Sequence, residues 1–157
     1  MDSKLTIDQF LMGRDKQAPV DDDMRTSALH VLNRVNQLLE AFYKADPGAA
    51  KRVITSGYRP AQINAAAGGA KKSHHQACRA VDLSDSDRKL AKFCLANLDL
   101  LQKLDLWIED PRWTKNWVHF QILSPASGKR VFVPSTAAAA DASFWDGKYE
   151  SKYDKKS

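Results

Sequence analysis

The sequence predicts an α+β fold, a small antiparallel sheet with helices packed on one side. Three observations predict it. One long stretch repeats apolar residues at three- and four-residue steps, and five short β-branched or aromatic stretches follow it. The order runs helix, strand, strand, helix, then three strands, and segregated strands joined by short connections favour antiparallel pairing. At 157 residues the chain has the size of one ordinary domain and can bury a core without disulfides or a structural metal.

The elements follow in order. Residues 1–20 form a lead-in with a short apolar cluster of Leu5, Ile7, Phe10, Leu11 and Met12. Asp21, Asp22 and Asp23 place negative charge at a helix start, where it complements the dipole. Met24, Ala28, Val31, Leu32, Val35, Leu38, Leu39 and Phe42 then mark one face of a helix running to about Lys44, ended by Asp46-Pro47-Gly48. Residues 52–60 read as a short strand stopped by Pro60. Residues 61–72, with Gly68-Gly69, read as a loop with a helical turn around Gln62–Ala67. Ala80 to Leu83 is a second strand, and Ser84 or Ser86 is the expected cap of a helix over 86–103. Residues 106–109, 117–122 and 130–134 complete the strands. The domain is expected to span 1–134. Residues 135–157, with an alanine run and then a charged tail, read as a flexible or partner-docked extension.

Composition narrows the function classes. The net charge is +5 and the pI near 9.2, but no block of five or six basic residues occurs, so nucleic-acid binding is not expected. No stretch is apolar enough for a signal peptide or a membrane span, so synthesis in the cytosol is expected. Two cysteines, Cys78 and Cys94, make no disulfide framework and read as separate reduced thiols.

Chemistry concentrates around three of the four histidines. His30 lies within the long helix pattern and reads as a structural or surface residue. His75 precedes Asp82 by seven residues and would leave a loop as Asp82 enters a strand, so both could point at one spot. His119 alternates with Val118 and Phe120 in an apolar strand. Two imidazoles and a carboxylate suit zinc with an open fourth position. On spacing alone, a His–Asp hydrogen-bonded pair plus an unrelated strand histidine is the more ordinary reading.

Three elements in order decide between them. Ser73-x-His75-x-x-Cys78-x-Ala80-x-Asp82 resembles a pattern in which glycine stands at the cysteine position. Trp117-Val118-His119 is similar to its downstream Trp-x-His element, and Ser56-Gly57-Tyr58-Arg59 to its upstream Ser-Gly-Tyr-Arg element. Together they resemble the zinc D-Ala-D-Ala carboxypeptidases and L-Ala-D-Glu endopeptidases of peptidase family M15, whose fold is shared with the hedgehog signalling domain. The likeness runs from about residue 20 to 134. The phrases 64–70 and 128–132 resemble the phage-encoded branch.

The resemblance implies that His75, Asp82 and His119 hold Zn2+. It implies that Arg59 binds a carboxylate or carbonyl of a peptidoglycan stem peptide and that Ser73 supports the site. It also implies a protein made in a host cytoplasm without a signal peptide, reaching the cell wall after lysis or carried on a virion, with tail or baseplate proteins as partners in the second case. Two departures stand out. Cys78 replaces the glycine and reads as a small buried side chain, with direct metal contact as the alternative. Asn116 occupies the position, three residues before the last ligand, where the family carries Asp, Glu or His as general base, and an amide cannot take up a proton at neutral pH. Glu109 is the first replacement candidate, then Asp110, with Asp85 and Asp87 behind them. If none serves, the chain is a non-catalytic structural or binding module that keeps the zinc fold. Trp107, Trp113, Trp117 and Phe120 are dense near the last ligand, where Trp107 and Phe120 read as core and the others as cleft wall.

Overall fold

The computed structural model describes residues 4–60, 74–125 and 127–133. Ser73, the loop over 61–72 and the extension from 135 therefore lie outside the described residues. Helix α1 (Ile7–Leu11) is closed by a Thr6 capping box, and a 3-10 turn (Arg14–Lys16) follows. Helix α2 (Asp22–Ala45) starts at Asp21, whose side chain accepts from the Met24 amide. Its buried residues Ala28, Val31, Leu32, Val35, Leu38, Leu39 and Phe42 are the face that the periodicity marks. The strands are β1 (Ile54–Ser56), β2 (Ala80–Ser84), β3 (Trp107–Glu109), β4 (Trp117–Gln121) and β5 (Val131–Phe132). Helices α3 (Lys89–Ala96) and α4 (Leu98–Lys103) lie between β2 and β3.

The α+β class is as expected, but the sheet is mixed rather than antiparallel. Its order is β1-β2-β4-β3-β5, and β3 pairs β5 in parallel. The reason is edge availability. Both edges of β4 are taken, by β2 and β3, so the chain returning from β4 pairs with the open edge of β3. A strand that reverses from β4 runs parallel to β3, because β3 is itself antiparallel to β4.

Two local expectations change. The strand expected over 52–60 shortens to three residues, because from Gly57 the chain leaves the sheet to pack on the lead-in: the Tyr58 amide donates to Phe10 O at 2.9 Å. The helix expected over 86–103 breaks at Asn97, whose side-chain amide donates to Phe93 O. Neither Ser84 nor Ser86 caps it. The Asp85 carboxylate accepts from the Leu90 and Ala91 amides, while Ser84 Oγ accepts from the Val53 amide.

The core lies on the helix side of the sheet, where Val81, Leu83, Ile108, Val118 and Phe120 meet the apolar faces of the helices. Buried arginines fasten the rest. Arg52 pairs with Asp85 and Asp87 and lies over the Phe42 ring. Arg88, in the left-handed region at φ +61°, turns its guanidinium onto the carbonyls of Asp85, Pro111, Lys115 and Trp117, tying the ends of β2 and β4 together. Among the described residues no helix is long and apolar enough to cross a membrane.

Candidate metal centre

Strand alternation gives the face opposite the core to Asp82 on β2, to Trp117, His119 and Gln121 on β4, and to Trp107 and Glu109 on β3. Register aligns the key residues in one row. Asp82 stands directly across from His119, and Ser56 of β1 pairs Asp82 on its other side. Trp107 pairs Gln121 and Ile108 pairs Phe120, so the same register brings Glu109 next to His119.

His75 reaches this row from a turn. The Cys78 amide donates to His75 O and the Arg79 amide to His74 O, folding residues 74–79 tightly over the end of β2. The turn requires φ +59° at Cys78. That is the left-handed region, where a Cβ is disfavoured, which explains why the family pattern has glycine there. Cys78 is buried in the core, and burial pushes its thiol up to about 12. Among the described residues the metal-capable group consists of His75, Asp82 and His119, and Cys78 lies outside it in the core.

The three side chains face one another. His75 Nε2 lies 3.3 Å from Asp82 Oδ1, and His119 Nδ1 lies 2.9 Å from the same oxygen. Tetrahedral zinc with bonds of about 2.1 Å sets its donors about 3.4 Å apart, so this donor set fits such an ion with small adjustments. Contacts behind the ligands aim them. His75 Nδ1 donates to Gly57 O at 2.8 Å, and the Arg59 amide donates to His75 O at 3.2 Å. The Ser-Gly-Tyr-Arg segment therefore holds His75, one of the three candidate ligands, through its backbone. His119 Nε2 lies 3.0 Å from Gln121 Oε1.

Charges in the site are coupled. Burial alone would raise the Asp82 carboxyl, but the imidazoles of His75 and His119 outweigh it and hold the group well below the usual carboxylate range. Burial lowers His75 despite Asp82. For His119, burial is outweighed by the hydrogen bond to Asp82 and by the charges of Asp82 and Glu109, and its pKa rises. Burial raises Glu109, aided by the charges of Asp82 and Asp110 and opposed by His119.

Of the candidate bases, only Glu109 shares the site. Asp110 turns the other way, where it is fully buried, accepts from the Arg112 amide and pairs with the Arg112 guanidinium at 2.6 Å. This corrects the expectation for Asp110: its carboxylate is a cap and an ion-pair partner, turned to the opposite side of β3 from Glu109. Asp85 and Asp87 are engaged by Arg52 and the start of α3. Asn116 is exposed, and its carbonyl accepts from the Asp85 amide.

Arg59 sits close enough to Asp82 to feel its charge. Burial lowers its pKa, and its Nε is buried with no hydrogen-bond partner among the described residues. Phe120 is core, as expected. Trp107 is not: it is half-buried on the site face, with the Arg130 guanidinium 4.4 Å from its ring. Trp117 is half-buried on that face too, and Phe132 meets the His119 ring edge-on at 6.0 Å. His30 is exposed on α2.

Sequence reasoning passed over two residues that touch the candidate ligands, Gly57 and Gln121. Alternation on β4 was the available signal for Gln121, two residues beyond His119. For Gly57 there was none, because its carbonyl reaches His75 only through tertiary packing.

A family model described as Peptidase M15 matches residues 4–102. The matched span holds Arg59, His75 and Asp82, and His119 joins them through the β2–β4 pairing. No curated protein matches the chain.

Proposed function

The chain belongs to peptidase family M15, and from that premise we propose that it is a zinc-dependent peptidase cutting the stem peptides of bacterial peptidoglycan. The observation that carries the reading is the row Asp82–His119–Glu109 with His75 folded over it: three side chains able to hold one metal ion, with one carboxylate of raised pKa beside them. Zinc held by His75, Asp82 and His119 would supply Lewis-acid chemistry, polarising a peptide carbonyl and making water more acidic.

The chain's own groups supply the rest. Glu109 lies on the open face, and its partly desolvated carboxylate has a proton affinity moved toward neutrality, as a general base requires. It takes a proton from the attacking water and returns it to the leaving amine. Arg59, half-buried, offers a guanidinium to a carboxylate or carbonyl of the stem peptide. Trp117 and Trp107 flank the row on opposite sides along the antiparallel strands β4 and β3, where they would contact a bound peptide. Asn116 takes no part in proton transfer. Glu109 supports catalysis over the non-catalytic alternative, because an acid occupies the site face even though the usual position lacks one. The phage-like phrases support a phage-encoded enzyme that meets the wall after lysis or on the virion.

The test is release of amines from purified peptidoglycan and defined stem peptides, with and without a chelator. Chelator-sensitive, zinc-restored cleavage is expected, and His119→Ala should lose both metal and activity. Cleavage that ignores the chelator, or a fully active His119→Ala, would refute the assignment.

A further inference from the structure

We infer that Gln121 is a positioning residue that decides which nitrogen of His119 is presented to the metal. The inference rests on the zinc reading above. Gln121 is 3% exposed on the same face of β4 as His119. Its Nε2 donates to Leu123 O at 2.9 Å. A backbone carbonyl only accepts, so the amide nitrogen faces Leu123 and Oε1 faces His119 Nε2, at 3.0 Å. An amide oxygen also only accepts, so His119 Nε2 carries a proton. In the metal-free protein Nδ1 donates to Asp82 Oδ1 at 2.9 Å; with the Nε2 proton held by Gln121, Nδ1 is the nitrogen that would give up its proton and turn its lone pair to an incoming metal inside the ligand group.

Gly57 O performs the mirror task on the other imidazole. It accepts from His75 Nδ1, which leaves Nε2 as the donor atom facing Asp82. The two ligands thus present different nitrogens, each set by an acceptor on the far side of its ring. Metal-ligating histidines depend on such acceptors for tautomer and orientation, and losing one costs about 10- to 100-fold in metal affinity.

Two variants separate this role from simple packing. Gln121→Leu fills the space but removes the acceptor. Gln121→Glu keeps an acceptor for His119 and loses the donor to Leu123 O. If Gln121 serves mainly to hold the chain at Leu123, both variants should weaken the site alike. Zinc affinity of the full chain is measured by competition with a chromophoric chelator. In parallel, 15N–1H correlation spectra of the histidine rings are recorded on the zinc-loaded wild type.

The expected spectrum shows His119 protonated at Nε2, with a slowly exchanging proton, and zinc-ligated at Nδ1. Gln121→Leu should bind zinc about 10- to 100-fold more weakly, and Gln121→Glu should stay closer to the wild type than to the leucine variant. The inference is overturned by an unprotonated Nε2, by a leucine variant with wild-type affinity, or by a glutamate variant as weak as the leucine one. Should Gln121→Leu fail to fold, the wild-type spectrum and the glutamate variant still decide. A wild-type chain that takes up no zinc would overturn the function reading itself, and this inference with it.

Discussion

Replacing Gly57 with alanine tests how the lead-in, the Ser-Gly-Tyr-Arg segment and the metal centre are joined. A Cβ on residue 57 would sit 2.2 Å from the carbonyl oxygen of Phe10, 2.9 Å from its carbonyl carbon and 3.0 Å from its Cα. All three atoms are backbone, so no rotamer change relieves the clash and the two segments must part by about 1 Å. Parting them strains or breaks the Tyr58 N–H to Phe10 O hydrogen bond, worth about 1 kcal/mol net. Overpacking of this kind adds about 1–3 kcal/mol. The expected loss is therefore about 2–4 kcal/mol, a melting point lower by roughly 5–15 °C for a chain of this size. The same shift moves Gly57 O away from His75 Nδ1, so zinc affinity should fall by about tenfold or more. Thermal melts followed by circular dichroism, in chelator and in zinc, measure the first effect, and chelator competition the second. A melting point within about 2 °C of the wild type, with unaltered zinc affinity, would refute the close approach and the backbone link to His75.

Other expectations follow from the same geometry. Glu109→Gln should lower kcat on stem peptides by about 10²–10⁴-fold while the chain still takes up one zinc, and a variant that turns over normally would remove Glu109 as base. Cys78 should resist alkylation in the folded protein at pH 8, because burial holds its thiol near 12. Cys78→Gly should change stability by less than about 1 kcal/mol, relief of the left-handed backbone offsetting lost burial, whereas Cys78→Val should cost about 2 kcal/mol or more. In the metal-free protein the depressed Asp82 carboxyl stabilises the fold at neutral pH. That contribution should be lost as pH falls from about 4, its unfolded value, through the lower folded value. A metal-free Asp82→Asn variant should show a shallower acid slope in denaturant titrations, and an unchanged slope would count against the coupling of Asp82 to the two imidazoles.

Much of this protein was legible in one dimension. Helix α2 was readable because its apolar period of three and four residues is the imprint of one buried face, and its start because Asp21, Asp22 and Asp23 put negative charge where free amides favour it; the structure picks Asp21 as the cap. The strand positions of Asp82 and His119 were readable because both alternate with apolar neighbours that must face the core. The candidate metal set itself came from three motif elements in order, since on spacing alone His75 and Asp82 read first as a plain hydrogen-bonded pair.

What the chain could not disclose depends on which strands become neighbours. Pairing β2 with β4 puts Asp82 across from His119, and pairing β3 with β4 puts Glu109 beside it, although adjacency in the sequence offers Asp110 as the next candidate after Glu109. Pleating alone separates those two acids: one faces the open side, and the other turns to Arg112. The parallel β3–β5 pair, the service of Asp85 as a helix cap, and the carbonyl of Gly57 behind His75 likewise arise from contacts between segments far apart in the chain. Local composition determined which residues could bind a metal. Tertiary pairing decided which nitrogen and which carboxylate each would present, because hydrogen-bond partners, unlike periodicity, are set by neighbours in space.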